Sequence, residues 1–148
     1  MSEDLALRDS IIAKVNNFEK ILAELPQVDL NTTHALAGEV YSRTIFIPAG
    51  TTLTGAIHNK NHINIMCGDI TVSTDTGMKR LRGYNVFPTK AGMKRVGYAH
   101  EDTYWTTVLQ TKETDLSKIE EDATPEYAKL QNNTLGLTSG MNKLLEGN

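Results

Sequence analysis

The chain has 148 residues, 15 basic against 18 acidic side chains for a net charge of -3, and 39% hydrophobic residues. Those proportions describe one globular domain, long enough to bury roughly two-thirds of the surface it exposes when unfolded. A lone Cys67 excludes an internal disulfide framework or a cysteine-based zinc cluster and points to a reducing setting, while mild acidity argues against a nucleic-acid surface.

No apolar run approaches the ~20 residues of a membrane span, and the acidic start Met1-Ser2-Glu3-Asp4 lacks the layout of a secretory signal. The expectation is therefore a protein with no membrane partner, not secreted through a signal peptide. Residues 1–37 read as a helix and connection, 38–111 as a β domain, and 112–148 as a helical or extended tail. From Asp9 to Leu25 the residues Ile11, Val15, Phe18, Leu22 and Leu25 recur at spacings of four and three, the stripe of an amphipathic helix that Ile12 and Ile21 widen. Asp9 or Ser10 is expected to cap it and Pro26 to end it. The stripe has two readings: a helix lying on its own subunit, or an oligomer contact.

In the β domain the period changes to two. Tyr41, Arg43, Ile45 and Ile47 share one strand face, with Val40, Thr44 and Phe46 on the other, and Pro48-Ala49-Gly50 turns the chain. Thr52, Thr54, Ala56 and His58 line up next. Ile63 and Ile65 alternate with Asn64 and Met66 ahead of an expected turn at Cys67-Gly68-Asp69, and Cys67, sharing the face of the two isoleucines, reads as a small buried hydrophobe. Asp75-Thr76-Gly77 signals a hairpin, Pro88 to Gly92 another turn, and Thr103 to Gln110 a strand rich in β-branched and aromatic residues. In the tail, Asp115 starts a short helix through Ile119, with a turn near Pro125, Tyr127 and Leu130. The polar stretch from Asn132 to Gly140 reads as connection, and Met141, Leu144 and Leu145 as a small terminal helix.

The segments Ile47-Pro48-Ala49-Gly50-Thr51, Gly55 to His62 and Ile65 to Val72 resemble the first motif of the cupin superfamily. The resemblance implies an all-β, cupin-like double-stranded β-helix, or jelly roll, with an N-terminal amphipathic helix and short C-terminal helical segments. Gly68 stands where the motif's closing glycine falls and His58 like the second metal histidine. Ala56 replaces the first, and His62 falls at or next to the glutamate. Gly83, Pro88 and Gly92 look like the second motif, in which Arg95 occupies the place of the metal-binding histidine and His100 lies five residues on. The chain is also similar to small cupin-like proteins of tailed phages, through Ala91 to Arg95 and Tyr98 to Thr107, a resemblance that brings no established activity.

Three roles follow. The expected one is a non-enzymatic virion accessory, decoration or assembly component, residing in the virion or host cytoplasm and pairing with itself through Ile11, Val15, Phe18, Leu22 and Leu25, or with other phage structural proteins. It needs no cofactor. The second is a metal-dependent cupin enzyme, a small dioxygenase or isomerase, in which His58 and His62 begin a site for zinc, iron, manganese or nickel that His100 completes with Glu101 or Asp102 nearby. A permanent positive charge at Arg95 opposes it. The third is a module binding a small anionic ligand through Asn64, Arg95, Tyr98 and Trp105 together with the histidines. That role needs Arg95 to face inward, and strand alternation allows only one of Lys94 and Arg95 to do so. The run Lys79-Arg80-Leu81-Arg82 reads as a solvated strand face, and Glu101 or Asp102 as partners for Arg95 or Lys94.

Overall fold

The period-two alternation becomes one antiparallel sheet that curls on itself, with a helix before it and a short helix behind. In chain order the elements are α1 (Ser2–Ala23), β1 (Thr33–Ala37), β2 (Val40–Ile47), β3 (Thr52–Thr54), β4 (His62–Thr74), β5 (Gly77–Thr89), β6 (Val96–Ala99), β7 (Thr103–Gln110), α2 (Leu116–Ala123) and β8 (Leu137–Thr138). The structure, a computed structural model, describes residues 2–55, 57–124 and 137–138. Ala56, the turn near Pro125, Tyr127 and Leu130, the rest of the polar connection and the helix expected around Met141, Leu144 and Leu145 lie outside the described residues.

The sheet runs β1-β2-β7-β4-β6-β3-β8, with β5 on the other edge of β4. Strand β4 makes the curl. Its first half, Ile63 to Cys67, pairs with β7, its second half, Ile70 to Val72, pairs with β6, and β5 follows it along its full length. Gly68 sits where the two halves meet. It was expected in a turn, but the strand passes straight through it, and what requires glycine there is the approach of β7. A Cβ on Gly68 would lie 2.7 Å from the Asp102 carbonyl oxygen and from Thr103 Cα, and its φ of +146° disfavours other residues. The expected hairpin forms: Thr74 pairs with Gly77 around Asp75 and Thr76. Pro88 lies inside β5 rather than in a turn, which an edge strand tolerates because its N–H side is unpaired.

Two faces of β4 exchange roles relative to expectation. His62, Asn64 and Met66 point inward and are buried, while Ile63 and Cys67 are exposed. The polar residues belong to the interior because the interior holds a cavity. Cys67 is therefore an exposed thiol and not a buried hydrophobe. Around the cavity Leu30, Ile47, Leu53, Met66, Ile70, Val72 and Ala99 form the main core, and a second cluster joins Tyr41 and Leu109 to Ile119 and Ala123 of α2. Asp115 caps α2 through its carboxylate, which accepts the Ser117 N–H.

Helix α1 starts at Ser2, so Asp9 and Ser10 lie inside it and neither caps it; Leu5, Ala6 and Leu7 are good helix formers and extend it upstream. Val15 and Leu22 of its stripe are buried, Ile11 and Phe18 half-buried, with Leu25 half-buried just past its end and Ile21 exposed. The helix lies on its own barrel beside β3. Strand structure begins at Thr33, inside the expected N-terminal connection, and β8 adds two residues of the expected tail to β3. Among the described residues no helix is long and apolar enough to cross a membrane.

Candidate functional site

Inward positions of β2, β4 and β7, together with the segments around His58 and Arg95, enclose a cavity of about 100 Å³. Its floor is apolar, made by Ile45, Ile47, Leu53, Ile70 and Val72. Its polar lining comprises Arg43, His58, His62, Asn64, Thr89, Arg95, Trp105 and Thr107, with no aspartate or glutamate among the described residues that line it. Strand alternation explains the set: Arg43 is two residues before Ile45, His62 two before Asn64, and Trp105 two before Thr107.

Asn64 is the hub. Its amide Nδ2 donates to Thr89 Oγ1 at 2.5 Å, and its Oδ1 accepts from Trp105 Nε1 at 3.2 Å and Thr107 Oγ1 at 3.4 Å. The same Thr89 hydroxyl accepts from Arg95 Nη2 at 3.2 Å, and Arg95 Nη1 donates to the Ser73 carbonyl at 3.0 Å. The guanidinium also lies 5.8 Å from the centre of the Phe87 ring, so its direction is fixed from two sides.

His62 Nδ1 lies 3.0 Å from the Lys60 carbonyl. A carbonyl only accepts, so Nδ1 carries the proton and Nε2 keeps its lone pair in the neutral ring. Burial holds His62 below the usual imidazole range; the Arg95 charge pushes the same way, against the Lys60 hydrogen bond. The ring of His58 stands 4.6 Å from that of His62, centre to centre. Arg43 differs from Arg95 in one respect: its Nε is buried with no hydrogen-bond partner. Burial lowers its pKa, while Tyr41 and Glu120 act in the opposite direction.

The structure brings together His58, His62, Asn64, Arg95 and Trp105 and leaves out two residues expected with them. On β6 it is Gly97 that faces the cavity, so Tyr98 faces out, where its ring meets that of His100 edge-on at 5.0 Å. His100 Nε2 is engaged with Thr71 Oγ1 at 2.6 Å. The expected set of His58, His62 and His100 therefore does not converge, and no group of three or more His, Cys, Asp or Glu residues that could hold a metal ion occurs among the described residues. Glu101 is exposed, and Asp102 accepts from the Ala49 N–H. Two imidazoles beside two guanidinium groups do not fit a resident divalent metal, because the permanent charges oppose the cation.

Lys94 and Arg95 both turn inward, contrary to the alternation expected of a strand, because residues 93–95 are not in one. Arg95 reaches the cavity; Lys94 reaches under α1, where its ammonium lies 2.9 Å from Glu19 Oε2 and 2.8 Å from Asn16 Oδ1. Thr54 Oγ1 donates to the same Glu19 oxygen at 2.9 Å. The basic run on β5 is engaged locally: Arg80 holds Asp69 with two hydrogen bonds of 2.9 and 2.8 Å, and Arg82 lies 3.8 Å from it.

Sequence reasoning missed Arg43 as a site residue. The signal was a lone charge on the strand face it shares with Ile45 and Ile47, since a guanidinium on a core-facing stripe needs a reason. No such signal marks the Glu19–Lys94 pair, whose members sit far apart in the chain.

A curled antiparallel β barrel, with a small cationic cavity inside it, is the class that this fold and lining define. No protein-family model and no curated protein matches the sequence. Among solved structures the chain is similar in fold to a cupin-2 domain protein from Shewanella frigidimarina, at 10% identity over 63% of this chain and 91% of that one, with a TM-score of 0.45. It is similar also to KdgF from a Halomonas species, at 14% identity, 64% and 94% coverage and a TM-score of 0.48. Ectoine synthase from P. lautus aligns at 16% identity over 66% of this chain and 78% of its own, with a TM-score of 0.47.

Proposed function

We propose that the chain is a metal-free binding module for a small organic carboxylate held inside the barrel. The observation that carries this reading is a cavity lined by two arginines, Arg43 and Arg95, and by no carboxylate among the described residues. Guanidinium is the donor best matched to a planar carboxylate, through paired parallel hydrogen bonds. The cavity is smaller than the roughly 150 Å³ that accommodate a benzene ring, so it suits a headgroup with a short apolar stem against Ile45 and Val72.

Calorimetric titration of chelator-treated protein with short-chain carboxylates from acetate to butyrate tests this. One site per chain is expected, abolished by Arg43→Met and weakened at least tenfold by Arg95→Met. Absence of binding across the series, or binding only after a divalent metal is restored, overturns the reading. The virion-assembly role implied by the tailed-phage resemblance is a separate proposal that turns on self-association rather than on the cavity.

A further inference from the structure

Outside the cavity, the most unusual surface is the outer face of the five strands β1, β2, β7, β4 and β5. Pairing registers place Tyr84, Cys67 and Tyr104 in one row across β5, β4 and β7, with Val86 and Ile63 in the rows that follow. Tyr84 is 70% exposed, Val86 55% and Tyr104 54%. No outward position of these five strands carries an acidic or basic side chain until the Asp69–Arg82 pair is reached beyond Gly68. Charge instead stands at the strand ends, in Glu39, Lys90 and Lys112, all exposed. The chain as a whole carries 15 basic and 18 acidic residues, so a charge-free sheet face is a local departure from its composition. Antiparallel sheets with one solvated face ordinarily alternate apolar inside with polar outside.

We infer that this face is where a second copy of the chain docks, sheet against sheet. An apolar centre with charges at its margin is the layout of a protein interface. The occupant that fits is another copy: an uncharged face meets its own image without like-charge repulsion, and it offers no charge pattern by which a different partner would be selected. Its size is sufficient. Five strands at a spacing of about 4.8 Å and six residues at about 3.4 Å each span roughly 24 by 20 Å. The accessible area of side chains raised above that plane approaches the ~600 Å² per partner at the low end of stable interfaces. The contact is distinct from the one expected on α1, whose Val15 and Leu22 are already buried on its own barrel.

Sedimentation velocity of the full chain at micromolar concentration tests the inference, with cross-linking of Cys67 by a flexible bismaleimide as a second readout. A dimer is expected, joined through thioether bonds at Cys67. Tyr84→Lys with Val86→Lys weakens it at least a hundredfold while leaving the circular dichroism spectrum unchanged, because both side chains face solvent. Leu7→Lys with Ile21→Lys on α1 leaves it intact. A monomeric wild-type chain, a dimer that survives the two lysines on β5, or one that dissociates with the α1 variant overturns the proposal. A monomer whose Cys67 resists maleimide also overturns it, showing that the chain's own residues 125–148 cover the face.

Discussion

Replacing Lys94 by Met removes the ammonium of the most enclosed charged side chain among the described residues while keeping most of its volume. The Lys94 side chain is 0% exposed and that of Glu19 8%. Without Lys94 the Glu19 carboxylate, which also accepts from Thr54 Oγ1, stays buried without its counter-charge. Breaking a buried pair from one side costs about 3–5 kcal/mol, chiefly through the charge left behind. We expect about 3 kcal/mol for Lys94→Met because the Thr54 hydroxyl keeps part of the solvation. For a chain of this length that corresponds to roughly 10 °C in melting temperature. Adding Glu19→Gln removes the stranded charge and leaves an amide oxygen for Thr54, so the double variant returns to within about 1 kcal/mol of wild type. Urea unfolding at pH 7, followed by circular dichroism, measures both. A single variant within about 0.5 kcal/mol of wild type, or a double variant as unstable as the single, refutes the reasoning. Because Lys94 ties α1 to the segment that carries Arg95, Lys94→Met is also expected to make α1 more susceptible to limited proteolysis.

Gly68→Ala is expected to cost at least about 3 kcal/mol or to abolish soluble expression, since its Cβ would meet backbone that cannot move aside; Gly55→Ala, with nothing within 4 Å of the new Cβ, is the neutral control in the same melting assay. Arg43→Met is expected to raise stability by about 1 kcal/mol in urea unfolding, because it removes an unpaired buried donor, even as carboxylate binding is lost. Burial holds His62 below the usual imidazole range, with Arg95 adding to it against the Lys60 hydrogen bond, and holds His34 below it too, with Arg43 adding. The unfolded chain therefore takes up protons near pH 6.5 before the folded chain does. Urea midpoints should be flat above that pH and fall below it, down to the folded pKa values. Carboxylate affinity should move the opposite way, because a protonated His62 faces the same cavity as the anion. Calorimetry at pH 7.5 and 5.5 should show tighter binding with proton uptake at the lower pH.

Fold class was legible because Tyr41 to Ile47 alternates and presents the faces expected of it, and Thr103 to Gln110 forms the strand expected there. The interior of β4 was legible only in part, through His62 and Asn64, which the binding role already put at the site. Apolar-inside reasoning assigns Ile63 and Cys67 to the core, and it fails because this barrel encloses polar groups that satisfy one another around Asn64. Lys94 and Arg95 were misjudged for a related reason: a two-residue period holds only inside a strand, and these residues belong to the irregular segment between β5 and β6. His58, His62 and Arg95 were found through motif position alone. Arg43, which completes the lining, stood in plain view as a charge on an apolar stripe. Pairing of Glu19 with Lys94 depends on where α1 docks, and local sequence carries no trace of that.

The sign of the charge in the cavity decides what the fold can hold. Two imidazoles 4.6 Å apart are a reasonable beginning for a metal site, and in a neutral lining they would favour one. A guanidinium about 6 Å from a divalent ion opposes it by roughly 5 kcal/mol at an effective dielectric of about 20. That repulsion rivals half of the binding energy of a micromolar complex, and Arg43 and Arg95 both contribute to it. The same two groups stabilise an anion, and the histidines, donating once protonated, reinforce them. The Thr89 hydroxyl and the Ser73 carbonyl hold Arg95 through hydrogen bonds that do not neutralise its charge. The arrangement thus positions a cation without cancelling it, which a purely structural arginine, ordinarily paired with a carboxylate as Arg80 is with Asp69, does not require.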